Sequence, residues 1–301
     1  MSVNRGIDRL QNDDRSRDLF RAIAMAHRYT QRVQALSLAM SLILAVLGIV
    51  ARLAWPQALP SVTIAGAVWA GLYAIVLSPL VGRFQRTSAT LQETLDVALF
   101  GLPWNGVLVG ERPSADEISR LARRFRGKEK RLRDYYVVAD IDSPYDVFFC
   151  LEQNLAWGSR VRRRYAQIVL AVVIAWCVAV VGINFVTGNS VANLVGTWLV
   201  PSLGLLLACS DIARTQISST RDRERVLPQV RAALEDRPTP SAAGDQTFAR
   251  QVQDVLFLVR RQQPRTPQWF FELFHNDDEA DFGYKKKVLE ERHGIIRPTG
   301  S

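Results

Sequence analysis

Three long stretches of this chain contain no Asp, Glu, Lys or Arg: Val33–Ala51 (19 residues), Leu53–Gly82 (30 residues) and Tyr165–Ser210 (46 residues). Charged residues still make up 22% of the 301 residues, so everything outside those stretches is strongly polar. A surface helix of a soluble globule mixes polar and apolar side chains in every turn. Charge segregated on this scale excludes an ordinary soluble enzyme and points to a lipid bilayer as the first partner.

A helix rises 1.5 Å per residue, so roughly 20 apolar residues cross the ~30 Å hydrocarbon layer. Val33–Ala51 supplies one crossing. The thirty-residue stretch is too long for one; Trp55-Pro56 and Pro60-Ser61 read as a turn, and Val62–Gly82 makes the second crossing. The longest stretch holds two, Ala166–Val186 and Leu194–Ser210, joined at Asn184 and Thr187-Gly188-Asn189-Ser190. The first span follows a polar segment of 32 residues and is succeeded at once by another span, unlike a cleaved signal peptide.

The reading is an all-α membrane protein, with four transmembrane helices in two hairpins and helical cytoplasmic extensions. Five segments follow: 1–32, 33–82, 83–165, 166–210 and 211–301. Seven basic residues precede the first span, fifteen lie between the hairpins and fifteen follow Asp211. The first hairpin tip carries only Arg52 and the second none. The positive-inside rule then places both termini and the central segment in the cytoplasm, leaving only two short tips outside.

The spans contain no ionisable side chain at depth, which argues against a proton- or ion-coupled transporter. Their mild polarity forms two helical stripes. One is Gln34, Ser37 and Ser41; the other is Asn193, Thr197, Pro201 and Ser202. These stripes either line a water-filled path between subunits or let helices approach closely. For Ala65-Gly66-Ala67-Val68-Trp69-Ala70-Gly71, close approach is the simpler reading. Pro79 and Pro201 each remove a backbone donor within a span.

Cys177 and Cys209 lie in spans and Cys150 in the central segment, so no disulfide framework is expected. His27, His275 and His293 are scattered, and neither a metal site nor a cofactor is expected. Cys150 and His27 form the one conceivable catalytic pair, against a packed thiol as the alternative; no enzyme is expected.

Outside the spans, Asp14–Arg32 reads as an amphipathic helix running into the first span, and Thr87–Phe100 continues the second. Pro113-Ser114-Ala115-Asp116-Glu117 reads as a helix start, with the helix extending to about Arg133. That stretch carries Arg120, Arg123, Arg124, Arg126, Lys128, Lys130, Arg131 and Arg133. It could hold ligand phosphates, lie on anionic lipid, or be a solvated face that sets topology. No fold motif supports a nucleic-acid polymer as partner, despite the net charge of +9. Ser143-Pro144-Tyr145-Asp146 opens a long helix over Val147–Tyr165. Thr215–Leu227 continues the fourth span, Pro238–Gly244 is a linker, and Thr247–Arg261 is a further helix.

Several of these residues carry a family resemblance. Leu91-Gln92-Glu93-Thr94-Leu95-Asp96 is followed by Leu99-Phe100-Gly101-Leu102-Pro103-Trp104-Asn105. Then come Asp134-Tyr135-Tyr136, the set Cys150, Gln153-Asn154, Trp157, Arg160, Arg162 and Tyr165, and finally Pro267-Gln268-Trp269-Phe270-Phe271. In this order and two-plus-two layout they resemble the SMODS-associated four-transmembrane family, regarded as pore-forming effectors of bacterial CBASS anti-phage systems. Leu151, Gly158 and Phe271 depart from that pattern, standing where Gln, Asp and Tyr are expected.

The resemblance implies an inner-membrane effector that senses a cyclic oligonucleotide made during phage infection, self-associates, and permeabilises the membrane as an oligomeric pore. On that reading Trp104, Tyr136, Trp157 and Tyr165 stack on bases and Arg123, Arg124, Arg160 and Arg162 hold phosphates, with Asn105, Gln153 and Asn154 beside them. Gln34, Ser37, Ser41, Asn193, Thr197 and Ser202 then line the pore. The competing assignment makes the aromatics interfacial anchors and the arginines topology signals. A different function class also stands: a membrane-anchored adaptor that recruits a cytoplasmic partner without a pore.

Overall fold

Continuous apolar runs bounded by Pro and Gly leave the backbone one way to satisfy its polar groups in lipid, which is to bond them along a helix. In a computed structural model, residues 6–157, 159–188, 190–235, 242–262, 266–267, 270 and 275–292 are described, without the side chains of Lys130, Arg131, Arg160, Ala242, residues 275–282 and Arg292. All regular structure among the described residues is helical. The elements are α1 (Ile7–Leu10), α2 (Asp14–Ala54), α3 (Leu59–Leu72), α4 (Ser78–Phe100), α5 (Gly106–Val109) and α6 (Ala115–Ala122). They continue with α7 (Tyr145–Ala156), α8 (Ser159–Val186), α9 (Val191–Asn193), α10 (Val200–Glu235), α11 (Ala242–Gln262) and α12 (His275–Arg292).

Among the described residues, four helical stretches are long and apolar enough to cross a membrane: Asp14–Ala54, Pro56–Phe100, Tyr145–Val186 and Val191–Glu235. The protein is a multi-pass, all-α membrane protein. It divides into a polar unit (Met1–Arg28, Gln85–Val161 and Ser218–Ser301) and an apolar unit (Tyr29–Phe84 and Arg162–Ile217).

In the apolar unit, Ile64, Ile75, Val172 and Phe185 are exposed, a surface suited to lipid. The interior is drawn tight by glycine. A Cβ on Gly66 would lie 2.6 Å from the Pro201 Cα, and one on Gly48 would lie 2.9 Å from the Pro201 ring. A Cβ on Gly204 would lie 2.6 Å from the Trp69 ring. Three helices therefore meet at backbone distance, the approach that small residues permit in membranes. Thr63 on α3 donates to the Gly196 carbonyl at 2.8 Å. Trp69 Nε1 donates to Ser41 Oγ at 2.8 Å, and Trp176 Nε1 to Ser202 Oγ at 3.3 Å.

Each hairpin also contains one wide turn of π-helix, Tyr73–Leu77 in the first and Leu194–Leu199 in the second. Both lie just before a proline, Pro79 and Pro201. A proline ring clashes with the carbonyl four residues back in a regular α-helix. Here those carbonyls belong to Ile75 and Thr197, inside the widened turns, so the helix continues without a break.

The polar unit has one main core. Leu91, Leu95, Leu99 and Phe100 of α4 pack with Phe148, Phe149, Leu151 and Leu155 of α7, Val230 and Leu234 of α10, and Val252 and Leu256 of α11. Helix α4 stops where Gly101 adopts φ +61°, and the Leu102 N–H returns to the Val97 carbonyl at 3.1 Å. That is a Schellman end, with the buried Leu102 as its apolar contact.

Two expected helices are shorter than their sequences suggested. α6 starts as predicted, with Ser114 Oγ accepting from the Glu117 N–H at 3.1 Å, but ends at Ala122. Arg120, Arg123, Arg124 and Arg126 repel at helical spacings of three and four. Phe125 then folds onto Gly127, where a Cβ would lie 2.4 Å from the ring. The expected helix over Val147–Tyr165 breaks at Trp157, whose ψ of 125° ends α7 before Gly158.

Candidate functional site

The polar unit buries charge at its centre. Glu93 and Asp96 lie three residues apart on α4, among the buried Ser88, Leu91, Gln92, Leu95, Leu99 and Phe100, and both are 0% exposed. Carboxylates taken out of water demand partners, and α11 supplies them. Arg250 donates to Glu93 Oε1 at 2.6 Å, and Gln253 Nε2 donates to Glu93 Oε2 at 2.8 Å and to Asp96 Oδ2 at 3.1 Å. Arg260 donates to Asp96 Oδ2 at 2.5 Å. Helical spacing carries these three α11 residues along one face, in step with the two acids.

Tyr136 completes the network. Its hydroxyl donates to Asp96 Oδ1 at 2.7 Å and accepts from Asn154 Nδ2 at 2.9 Å. Burial and the Asp96 charge push the Tyr136 pKa well above the ordinary phenol value, so it stays a donor. The Glu93 pKa is raised by burial and by Asp96, against the opposing pull of Arg250 and Gln253. For Arg260, burial disfavours the charge, yet Asp96 and its neighbours outweigh that and the pKa rises.

A second ionic node lies on α7. Glu152, 1% exposed, accepts from Arg231 of α10 at 2.9 Å and from Lys285 of α12. Nearby Glu290 of α12 accepts from the Asp140 N–H at 3.0 Å, and Arg223 donates to the Asn154 carbonyl. Two carboxylate centres therefore tie α4, α7, α10, α11 and α12 together.

The residues singled out from the sequence fall into distinct places. Tyr136 and Gln153 are buried, and Gln153 accepts from the Val137 N–H at 3.1 Å. Asn105 caps α5 by accepting from the Leu108 N–H and donates to Asp254 at 3.0 Å. Trp104 is half-buried, donates to the Gly110 carbonyl at 2.9 Å, and carries Arg112 over its ring at 5.0 Å. Arg123 and Arg124 are exposed just past α6, and Arg126 Nη1 donates to the Arg123 and Phe125 carbonyls. Trp157 and Asn154 are half-buried at the end of α7, and Arg162 and Tyr165 are half-buried in α8.

The Arg160 side chain, Trp269 and Phe271 lie outside the described residues. In the apolar unit Ser37, Ser41, Thr197 and Ser202 are buried; Gln34 is half-buried and Asn193 exposed. Cys150 is fully buried in the core, its thiol pKa pushed up by burial, while His27 bonds Ser88. No cluster of metal-ligating side chains occurs among the described residues.

Glu93, Asp96, Arg250, Gln253 and Arg260 were not among the sequence-derived site residues. The available signal was the pair of acids at helical spacing among the leucines of α4, a placement that only buried partners make tolerable.

Comparison with known proteins agrees with this architecture. The SMODS-associating 4TM effector domain matches residues 5–289. A "probable CBASS effector molecule" of Bacillus cereus (strain VD146) is 23% identical over 222 residues, covering 72% of this chain and 73% of that protein. No solved structure matches.

Proposed function

Because the chain belongs to the SMODS-associating 4TM effector family, we propose that it is a CBASS effector that opens an oligomeric pore in the bacterial inner membrane when a cyclic oligonucleotide binds its cytoplasmic polar unit. Both termini face the cytoplasm in this reading, which the excess of basic residues on either side of the hairpins supports.

The observation that carries it is the closure of the apolar unit within one chain. Gly48 and Gly66 meet Pro201, and Gly204 meets Trp69, closer than any Cβ would allow. Ser41 and Ser202 spend their hydroxyls on tryptophans. A path for water then lies between copies, or opens when these helices separate. In the second case Ser37, Ser41, Thr197 and Ser202 come to face the lumen, with Gln34 and Asn193 towards its ends.

The ligand works through differential affinity for the two states. Exposed Arg123 and Arg124, in a run with Arg126, Lys128 and Arg133, present guanidinium forks suited to phosphodiester oxygens. Tyr136, Gln153 and Asn154 act from inside the core, holding Asp96 and Val137 and so setting how α4 and α7 pack. Trp157, Arg160, Arg162 and Tyr165 flank the break between α7 and α8, where a change of angle is passed along the chain.

Co-expression with nucleotidyltransferases making different cyclic oligonucleotides, scored by propidium entry, tests this. One nucleotide class should admit the dye, and Arg123→Glu with Arg124→Glu should abolish entry at unchanged expression. Intact membranes with every nucleotide, together with stable capture of a cytoplasmic protein, would support an adaptor instead.

A further inference from the structure

The loop after α4 turns back along the helix it has just left. Gly101 reverses the chain, and Val109 packs on Ala89 of α4 together with Phe257. At Gly110, where φ is +91°, a Cβ would lie 3.9 Å from an Arg86 guanidinium nitrogen. Arg86 is four residues beyond Gly82, the end of the charge-free run. Along α4 that is about 6 Å. The headgroup layer on each side of the hydrocarbon is itself roughly 5–7 Å deep. The loop therefore lies beside α4 within about two turns of the end of the charge-free run, between Arg86 and Ala89.

What the loop presents there is suited to a lipid surface. Val107 is 101% exposed, an apolar side chain without packing of its own. Trp104 keeps an apolar ring half-exposed while its N–H is held by Gly110, and Arg112 stacks on that ring. Arg86 and Arg112 are exposed. An aromatic ring with basic side chains around it is the chemistry of a membrane-interface anchor.

We propose that the loop 104–112 is a second membrane contact of the polar unit, docking on the anionic leaflet from which α4 emerges. Val107 enters the headgroup layer, Trp104 lies at its level, and Arg86 and Arg112 meet lipid phosphates. This assigns Trp104 to lipid rather than to the oligonucleotide, and it does not depend on pore formation.

The test uses the full chain in nanodiscs, with Cys177 and Cys209 replaced by Ala and a polarity-sensitive fluorophore on Val107→Cys. Arg15→Cys, exposed at the start of α2 and eighteen residues before Val33, is the aqueous reference. In phosphatidylcholine with phosphatidylglycerol, the Val107 label should emit to the blue and be quenched several-fold more strongly than the reference by lipids brominated near the headgroup. Arg112→Glu should reduce that quenching only when phosphatidylglycerol is present. Equal quenching of the two labels by aqueous iodide and by bromolipid would overturn the proposal, as would indifference to phosphatidylglycerol.

Discussion

Asp96→Ala is the sharpest test of the buried network. Asp96 is wholly inaccessible and accepts from the Tyr136 hydroxyl (2.7 Å), Arg260 (2.5 Å) and Gln253 (3.1 Å). Truncation leaves a buried guanidinium without its counter-charge and leaves a phenol and an amide each short of an acceptor. Removing one partner of a buried ion pair costs about 3–5 kcal/mol. The lost hydrogen bonds fall inside that figure, because groups in one network are not additive. Asp96→Asn retains the shape and one acceptor, and should cost about 1–3 kcal/mol. Replacing both charges, Asp96→Leu with Arg260→Met, should recover much of the loss, since the desolvation of two ions is then avoided. Pulse proteolysis of the full chain across a urea series reads the opening of the polar unit while the spans stay in detergent. An Asp96→Ala midpoint within the range of a surface substitution, about ±0.5 kcal/mol, would refute the claim that this network holds α4 against α11.

Three further outcomes follow from the same contacts. Because the folded-state pKa of Glu93 is raised, the native protein binds that proton more tightly than the unfolded chain. Its contribution is full below the unfolded value of roughly 4.3 and is lost as pH rises through the folded one. Glu93→Gln should flatten the urea midpoint against pH above that unfolded value, and an unchanged slope would contradict the assignment. Gly66→Val should destroy monodispersity in detergent because α10 backbone occupies the space, whereas Gly71→Val, with nothing within 4 Å of its Cβ, should be tolerated; size-exclusion profiles distinguish them. Lys285→Ala removes the Lys285–Glu152 contact of α12 and should speed tryptic cleavage at Lys286 and Lys287, while Lys287→Ala, exposed, should leave the remaining sites cut at the normal rate.

The spans were legible because lipid forbids charge, so three gaps in the charge pattern mark them almost without reference to residue type. The start of α6 was legible as well, since Ser114 with Asp116 and Glu117 is a local device. Its end was not: the apolar periodicity reads on smoothly into the arginine run, and the local repulsion at spacings of three and four and the Phe125–Gly127 contact that stop the helix leave no mark in that pattern. The break at Trp157 had a local signal in Gly158-Ser159, which was outweighed by the helix formers further out on both sides. The network was hidden for another reason. Glu93 and Asp96 find Arg250 and Arg260 157 and 164 positions away, and no local pattern reports which of many arginines turns inward. The same holds for Gly66, whose role depends on Pro201 lying across from it in the second hairpin.

Ligand-dependent opening of a multi-copy pore is directly measurable. Calcein release from liposomes containing the purified full chain, measured against a panel of cyclic oligonucleotides over a range of protein-to-lipid ratios, addresses it directly. One nucleotide class should trigger release, rising more steeply than linearly with protein density. A protein that binds a cyclic oligonucleotide yet releases no dye at any density, or releases it in simple proportion to protein, would contradict it.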